Sequence, residues 1–200
     1  GKLISEIEIF LKEDGTIKDY IAKGTVKNLE AELFSDLHLR NINLGFFADQ
    51  NDILIKNIFG YLEDIKISEG DIKLNLENGV EINSNFNSKI DFNKKTFLKY
   101  SEIFEKFELL KNLKSLKADL SNNISLNLDN TYKIKDYSYN ISGKIEKSKF
   151  ELLKPFKNDY FRDELKTVYL SELKIKTTII PKNISFNGEG KYSFNNLDFL

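Results

Sequence analysis

The sequence predicts a mainly β protein: a long antiparallel meander forming an elongated, curved β-groove, with one or two amphipathic helices. Three observations predict it. Apolar and polar residues alternate over runs longer than an ordinary strand, short hairpin-turn sequences join those runs, and one hairpin is written twice. The two copies are "EIEIFLKEDGTIKDY" at 6–20 and "NISLNLDNTYKIKDY" at 123–137, an offset of 117 residues, each ending in Ile-Lys-Asp-Tyr. A unit that long exceeds ordinary solenoid repeats.

The elements follow in order. Ile7 and Ile9 alternate toward an Asp14-Gly15 turn, and the return strand carries Ile17 to Tyr20. "GYLEDIKISEGDIKL" reads as strand, Glu69-Gly70 turn, strand. Ile72, Leu74 and Leu76 then share one face, and Asn78-Gly79 supplies a type I′ turn into the next run. That run, "VEINSNFNSKIDF", places Val80, Ile82, Phe86, Ile90 and Phe92 on one face, with Ser84 and Ser88 among them. Its other face is wet: Glu81, Asn83, Asn85, Asn87, Lys89 and Asp91. At ~3.3 Å per residue the run spans roughly 43 Å. The second hairpin copy brings Ile124, Leu126 and Leu128 to a turn at Asp129-Asn130, and Tyr139, Ile141 and Ile145 alternate around Gly143. "LKIKTTI" and "ISFNGEGKYSF" close the chain on either side of Pro181. About a dozen strands result, in the meander that short turns impose.

Two segments change period. "KTFLKYSEIFEKFELLKNLKSL" spaces Phe97, Tyr100, Phe104, Phe107 and Leu110 three or four apart, which predicts an amphipathic helix covering an end or edge of the sheet. Its Glu102, Glu105 and Glu108 argue against a membrane-surface helix, which needs a basic polar face. A shorter helix is expected through 155–166, with Pro155 in its first turn. The predicted organisation is therefore a first β-groove segment at 1–92, a helix and connection at 93–117, and a second β-groove segment at 118–200.

Composition excludes several functions. The net charge is −1 and acidic and basic residues are interleaved, so no basic face for nucleic acid exists. There is no Cys and a single His, which removes thiolate and His-based metal sites and Cys nucleophiles. His38 shares the outward face with Asp36 and Arg40 and reads as a surface residue. "GEG" at 188–190 lies inside an alternating run with no following helix, unlike a phosphate loop. Glu13-Asp14 and Glu63-Asp64 sit at turns. No enzyme, metal or cofactor is expected. No run approaches the ~20 apolar residues of a membrane span, and the chain, starting at Gly1 without any Met, reads as a piece of a longer polypeptide.

Long one-sided strands leave an apolar stripe to be covered by a second sheet, by closure into a barrel, or by a greasy ligand in a gutter-shaped sheet. Strand length and the reused hairpin favour the gutter. The stretch "GTIKDYIAKGTVKNLEAEL…LHLRNINLGFFADQNDILIKNIFGYLEDIKISEGDIKLNL", and "ISLNLDNTYKIKDYSYNISGKI" through "GEGKYSFN", resemble the AsmA-like family of Gram-negative bacteria, the AsmA, TamB and YhdP type. The resemblance lies in rhythm and covers most of the chain. It implies a periplasmic protein anchored in the inner membrane by a segment outside this sequence, whose β-groove conducts phospholipids toward the outer membrane. The acyl chains would lie on Ile72, Leu74, Leu76, Val80, Ile82, Phe86, Ile90, Phe92, Ile124, Leu126, Leu128, Tyr139, Ile141 and Ile145. The alternatives are a structural or adhesive β-sandwich without ligand, and a carbohydrate-active β-fold using two convergent acids and an aromatic such as Tyr137 or Tyr160.

Overall fold

The computed structural model describes residues 1–33, 37–93, 112–157 and 163–195. These form ten strands: β1 (Lys2–Leu11), β2 (Ile17–Leu33), β3 (Leu37–Ala48), β4 (Asp52–Leu62), β5 (Ile65–Asn75), β6 (Val80–Phe92), β7 (Leu113–Leu128), β8 (Ile134–Phe156), β9 (Leu165–Ile180) and β10 (Asn183–Phe194). All ten lie in one sheet in sequence order, an antiparallel meander that is not closed, with β1 and β10 as its edges. Short connections leave each strand no other neighbour than the next one in the chain.

The predicted helices do not appear among the described residues. Most of the first, 94–111, lies outside them, and from Leu113 the chain is already β7, so its "LKSL" end is strand. The second is strand at both ends: Pro155 and Phe156 finish β8 and Leu165 opens β9. Helical spacing over so short a segment loses to ladder pairing with a neighbouring strand. The turn expected at Glu69-Gly70 is also absent. β5 runs straight through those residues, and the chain reverses instead at Glu63-Asp64, where Glu63 takes φ 55°.

Contacts group the chain into two units, each drawing on several strands: Gly1–Ser88 with Ser121–Ile141 and Thr177–Ser185, and Lys89–Leu120 with Ser142–Lys176 and Phe186–Leu200. In the first unit, strand register keeps one face apolar. Ile7 lies opposite Ala22 and Ile9 opposite Tyr20. Phe46 faces Gly24, and Ile42 faces Leu29. Ile55 faces both Phe46 and Ile72, and Ile53 faces Leu74. Side chains on one face must recur every second residue, yet the apolar pattern in these strands slips phase midway. In β2 it moves from Tyr20, Ala22 and Val26 to Leu29 and Ala31; in β3 from Leu39 to Ile42, Leu44 and Phe46; in β4 from Ile53 and Ile55 to Ile58 and Leu62; in β5 from Ile65 and Ile67 to Ile72 and Leu74.

A β-bulge absorbs each slip. Asn28, Asn41, Asn57 and Glu69 have φ of 53°, 53°, 55° and 53°, and the pairing shifts register beside them. One extra residue in the left-handed region returns the following apolar residues to the same face. Polar side chains close the bulges. Asn43 Oδ1 accepts the Asn28 N–H at 3.2 Å while its Nδ2 donates to the Asn41 carbonyl at 2.8 Å. Asp71 Oδ1 accepts the Asn57 N–H at 3.0 Å, and Asn87 Nδ2 donates to Glu69 Oε2 at 2.7 Å. The result is a transverse seam of amides and carboxylates across β2 to β6.

Few apolar side chains are withdrawn from solvent. Among the described residues, five hydrophobic ones are buried: Ile42, Phe92, Leu113, Ala118 and Leu165. Ile42 is 4% exposed because its side chain fills the space a Cβ at Gly60 would need; Gly60 itself holds φ 153°.

Candidate functional site

The residues predicted to form the apolar floor occupy β5 to β8 and the β5–β6 turn. Phe92 is buried and Leu76 exposed, and the others are half-buried. Ile72 and Leu74 share their face with Ile53 and Ile55 of β4 through direct pairing. Val80, Ile82, Phe86, Ile90 and Phe92 alternate along β6, and Ile124, Leu126 and Leu128 along β7. Tyr139, Ile141 and Ile145 do so on β8.

A polar cluster that sequence reasoning missed is set into this floor. Asn122 is 2% exposed, the most fully buried large side chain among the described residues. Its Nδ2 donates to Ser88 Oγ at 2.9 Å and to the Phe86 carbonyl at 3.2 Å, and its Oδ1 accepts the Tyr139 hydroxyl at 2.8 Å. The amide thereby ties β6, β7 and β8 together. Burial pushes the Tyr139 phenol above its ordinary pKa and keeps it a neutral donor. The signal was present in the sequence: Asn122 stands in the apolar phase of β7, between Leu120 and Ile124. A polar residue in that phase requires partners on the same face.

The opposite face is wet and carries the depressions. One of about 420 Å³ is lined by Lys56, Asp71, Lys73, Asn83, Asn85, Asn123, Ser125, Ser138 and Asn140 together with Leu54, Ser84 and Ile124. A second, of about 370 Å³, continues toward the turns past Asn75, Glu81, Asn127 and Asp136. Of the predicted floor only Ile124, Val80 and Leu128 touch either one. Exposed ion pairs are of mixed sign, such as Glu6 with Lys23 at 3.2 Å, and such surface pairs contribute little.

His38 serves the β4–β5 turn. Its N–H and its Nδ1 both meet Glu63 Oε1, the ring nitrogen at 2.9 Å, and Arg40 donates to the Glu63 carbonyl and to Asp64 Oδ1 at 3.3 Å. Glu63 is 4% exposed, so this is the fastening of a buried turn carboxylate. Among the described residues no group of three or more His, Cys, Asp or Glu is placed to hold a metal ion. Nor is any helix there long and apolar enough to cross a membrane.

The repeated hairpin is one turn built twice. Lys12 N–H donates to Thr16 O at 2.8 Å, and Asp129 N–H donates to Lys133 O at 2.9 Å. Gly15 and Tyr132, which correspond in the repeat, both take positive φ, 82° and 60°. Asp14 accepts from the Thr16 hydroxyl and Asp129 from the Thr131 hydroxyl, each at 2.6 Å. Asp19 and Asp136 each accept the N–H of the following Tyr, at 2.8 and 2.9 Å. These aspartates are turn fasteners. No family model, no curated protein and no solved structure matches the chain.

Proposed function

We propose that this chain is a segment of a periplasmic AsmA-like protein whose apolar β-face holds phospholipid acyl chains and conducts them between inner and outer membranes. The inner-membrane anchor belongs to a segment outside this sequence, and the activity needs no catalysis. The observation that carries the reading is the apolar face of a single open sheet, kept on one side through four phase slips. Apolar area left in water costs ~25 cal/mol per Å², and each acyl methylene placed on it recovers about 0.8 kcal/mol. That affinity is non-directional, so a chain can slide along the floor without a fixed resting place. Asn122 suits the same purpose, because its polar atoms are all engaged by Ser88, Phe86 and Tyr139. The rhythm shared with the AsmA-like family supplies the cargo class and the compartment.

Native mass spectrometry and lipid extraction of the purified chain test this. Phospholipid is expected to co-purify, and Ile82→Asp on the apolar face is expected to reduce it several-fold while Asn83→Asp on the wet face leaves it unchanged. A chain that carries no phospholipid and takes none up from vesicles would be a structural β-domain without ligand, and the reading would fall.

A further inference from the structure

The edge strand β1 is built unlike the rest of the sheet. Every one of its residues is exposed, and its apolar side chains point to both faces. Leu3, Ile7, Ile9 and Leu11 continue the apolar face, 56% to 62% exposed, while Ile4 and Phe10 stand on the face that is otherwise wet, 53% and 44% exposed. The other edge is blunted: β10 carries Gly188 and Gly190, with Asn183, Ser185, Asn187, Glu189, Lys191 and Ser193 at its alternate positions. Natural sheets protect an edge with charge, glycine or irregularity, and a long apolar edge invites another strand.

The backbone defines where that strand attaches. Lys12 N–H donates across the hairpin to Thr16, and the Ile4 carbonyl lies against Gly24 of β2. Peptide groups alternate sides along a strand, so even-numbered residues of β1 turn theirs toward β2 and odd-numbered ones toward the open edge. The outward donors and acceptors therefore belong to Leu3, Ser5, Ile7, Ile9 and Leu11.

The sequence identifies the occupant. Lys2-Leu3-Ile4-Ser5-Glu6-Ile7-Glu8-Ile9-Phe10-Leu11-Lys12 is nearly palindromic in character about Ile7. We infer that β1 pairs antiparallel with β1 of a second copy of this chain across a two-fold axis at Ile7. In this register Leu3 meets Leu11, Ser5 meets Ile9 and Ile7 meets itself, all as hydrogen-bonded pairs of outward residues. Ile4 meets Phe10 on the wet face, so the apolar pair there is covered from both sides. The contact is isologous and closes as a dimer. Its axis stands normal to the sheet, which keeps the apolar faces of both copies on one side. Glu6 opposes Glu8 of the other copy, a like-charge contact that weakens the joint and keeps it reversible; Glu6 already has Lys23 at 3.2 Å. The inference does not rest on the lipid reading.

Sedimentation equilibrium of the chain across a wide concentration range tests it, together with single cysteines, since the sequence contains none. A concentration-dependent dimer is expected. Ile7→Pro removes only an outward donor and abolishes it, with the urea midpoint monitored to show that the monomer still folds. Glu8→Lys replaces the like-charge contacts by attractive ones and tightens the dimer about fivefold, a change readable whatever the proline does. Ile7→Cys cross-links to itself on mild oxidation, because a hydrogen-bonded pair spaces Cα atoms at about 5.5 Å, within disulfide reach. Ser5→Cys and Ile9→Cys do not cross-link alone but do when mixed. A chain monomeric at every concentration, or equal cross-linking at all three positions, overturns the inference.

Discussion

Strands β2 to β5 and strands β6 to β8 keep the same apolar face by opposite means. The first group lets its sequence slip phase and corrects each slip with a left-handed bulge at Asn28, Asn41, Asn57 or Glu69. There the polar side chains lie on the wet face and mend the backbone. Around Asn122 the second group admits a polar side chain into the apolar face itself and satisfies it from both neighbouring strands. The seam specifies geometry strand by strand. The Asn122 cluster specifies register among three strands at once, because a slip of one residue would remove its partners to the other face. Asparagine is used in both places for different reasons: for its tolerance of positive φ in one and for its four hydrogen-bonding valences in the other.

The largest effect is expected at Asn122. Asn122→Leu keeps the volume but strands the Tyr139 and Ser88 hydroxyls and the Phe86 carbonyl on a face that offers no replacement. Leaving such groups unsatisfied costs about 2–3 kcal/mol, read as a lower urea midpoint. Adding Ser88→Ala and Tyr139→Phe to that variant should recover most of the loss, since removing all partners together is nearly neutral. If the triple variant is no more stable than the single one, the cluster is not a hydrogen-bonded unit and the contrast with the seam collapses.

The seam should respond to backbone conformation instead. Asn57→Val places a β-branched residue at φ 55° and should cost about 1–2 kcal/mol. Asn57→Gly should stay within about 0.5 kcal/mol, because glycine adopts that conformation freely. Equal losses for valine and glycine would mean that the amide, and not the positive φ, is what the position requires.

These two regions also mark how far the sequence could be read. Alternation and turn residues disclosed the meander, because a strand with one wet face writes its period directly into residues such as Val80 to Phe92. The bulges were written there too, as a phase slip with an asparagine or glutamate at each break, but a slip looks like a turn when read alone. That is why Glu69-Gly70 resembled a reversal. The helical spacing of 95–116 misled at its end, where Leu113 to Leu116 gain more from pairing than from local preference. Asn122 was legible only as an anomaly, since its partners Ser88 and Tyr139 lie 34 and 17 residues away. The floor residues could be named from alternation, while the strand-by-strand pairing that brings Ile72 beside Ile55 could not.

The repeated hairpin opens each region and serves as an internal control, and here the expected effects are smallest. Hydrogen bonds from the Thr16 hydroxyl and then its N–H hold the Asp14 carboxyl below the ordinary value of 3.8. At Asp129 the Thr131 hydroxyl comes first, followed by the Lys133 and Thr131 N–H groups, with the charge of Lys135 adding a smaller pull. A carboxyl depressed in the folded state stabilises fully above its unfolded pKa, and that contribution disappears as pH falls through the lower folded value. Both turns should therefore tighten the fold above about pH 4 and lose that effect in more acidic solution. Asp14→Asn and Asp129→Asn should each flatten the acid limb of the stability profile. Thr16→Val and Thr131→Val separate the copies. Each removes the leading hydroxyl donor and should raise its aspartate's pKa, followed by carboxyl NMR titration. Asp129 should remain the lower of the two, because the Lys133 N–H at 3.0 Å and the Lys135 charge survive the substitution. If the two carboxyls return to the same value, the hydroxyl alone sets both, and the hairpins are identical in energy as well as in backbone.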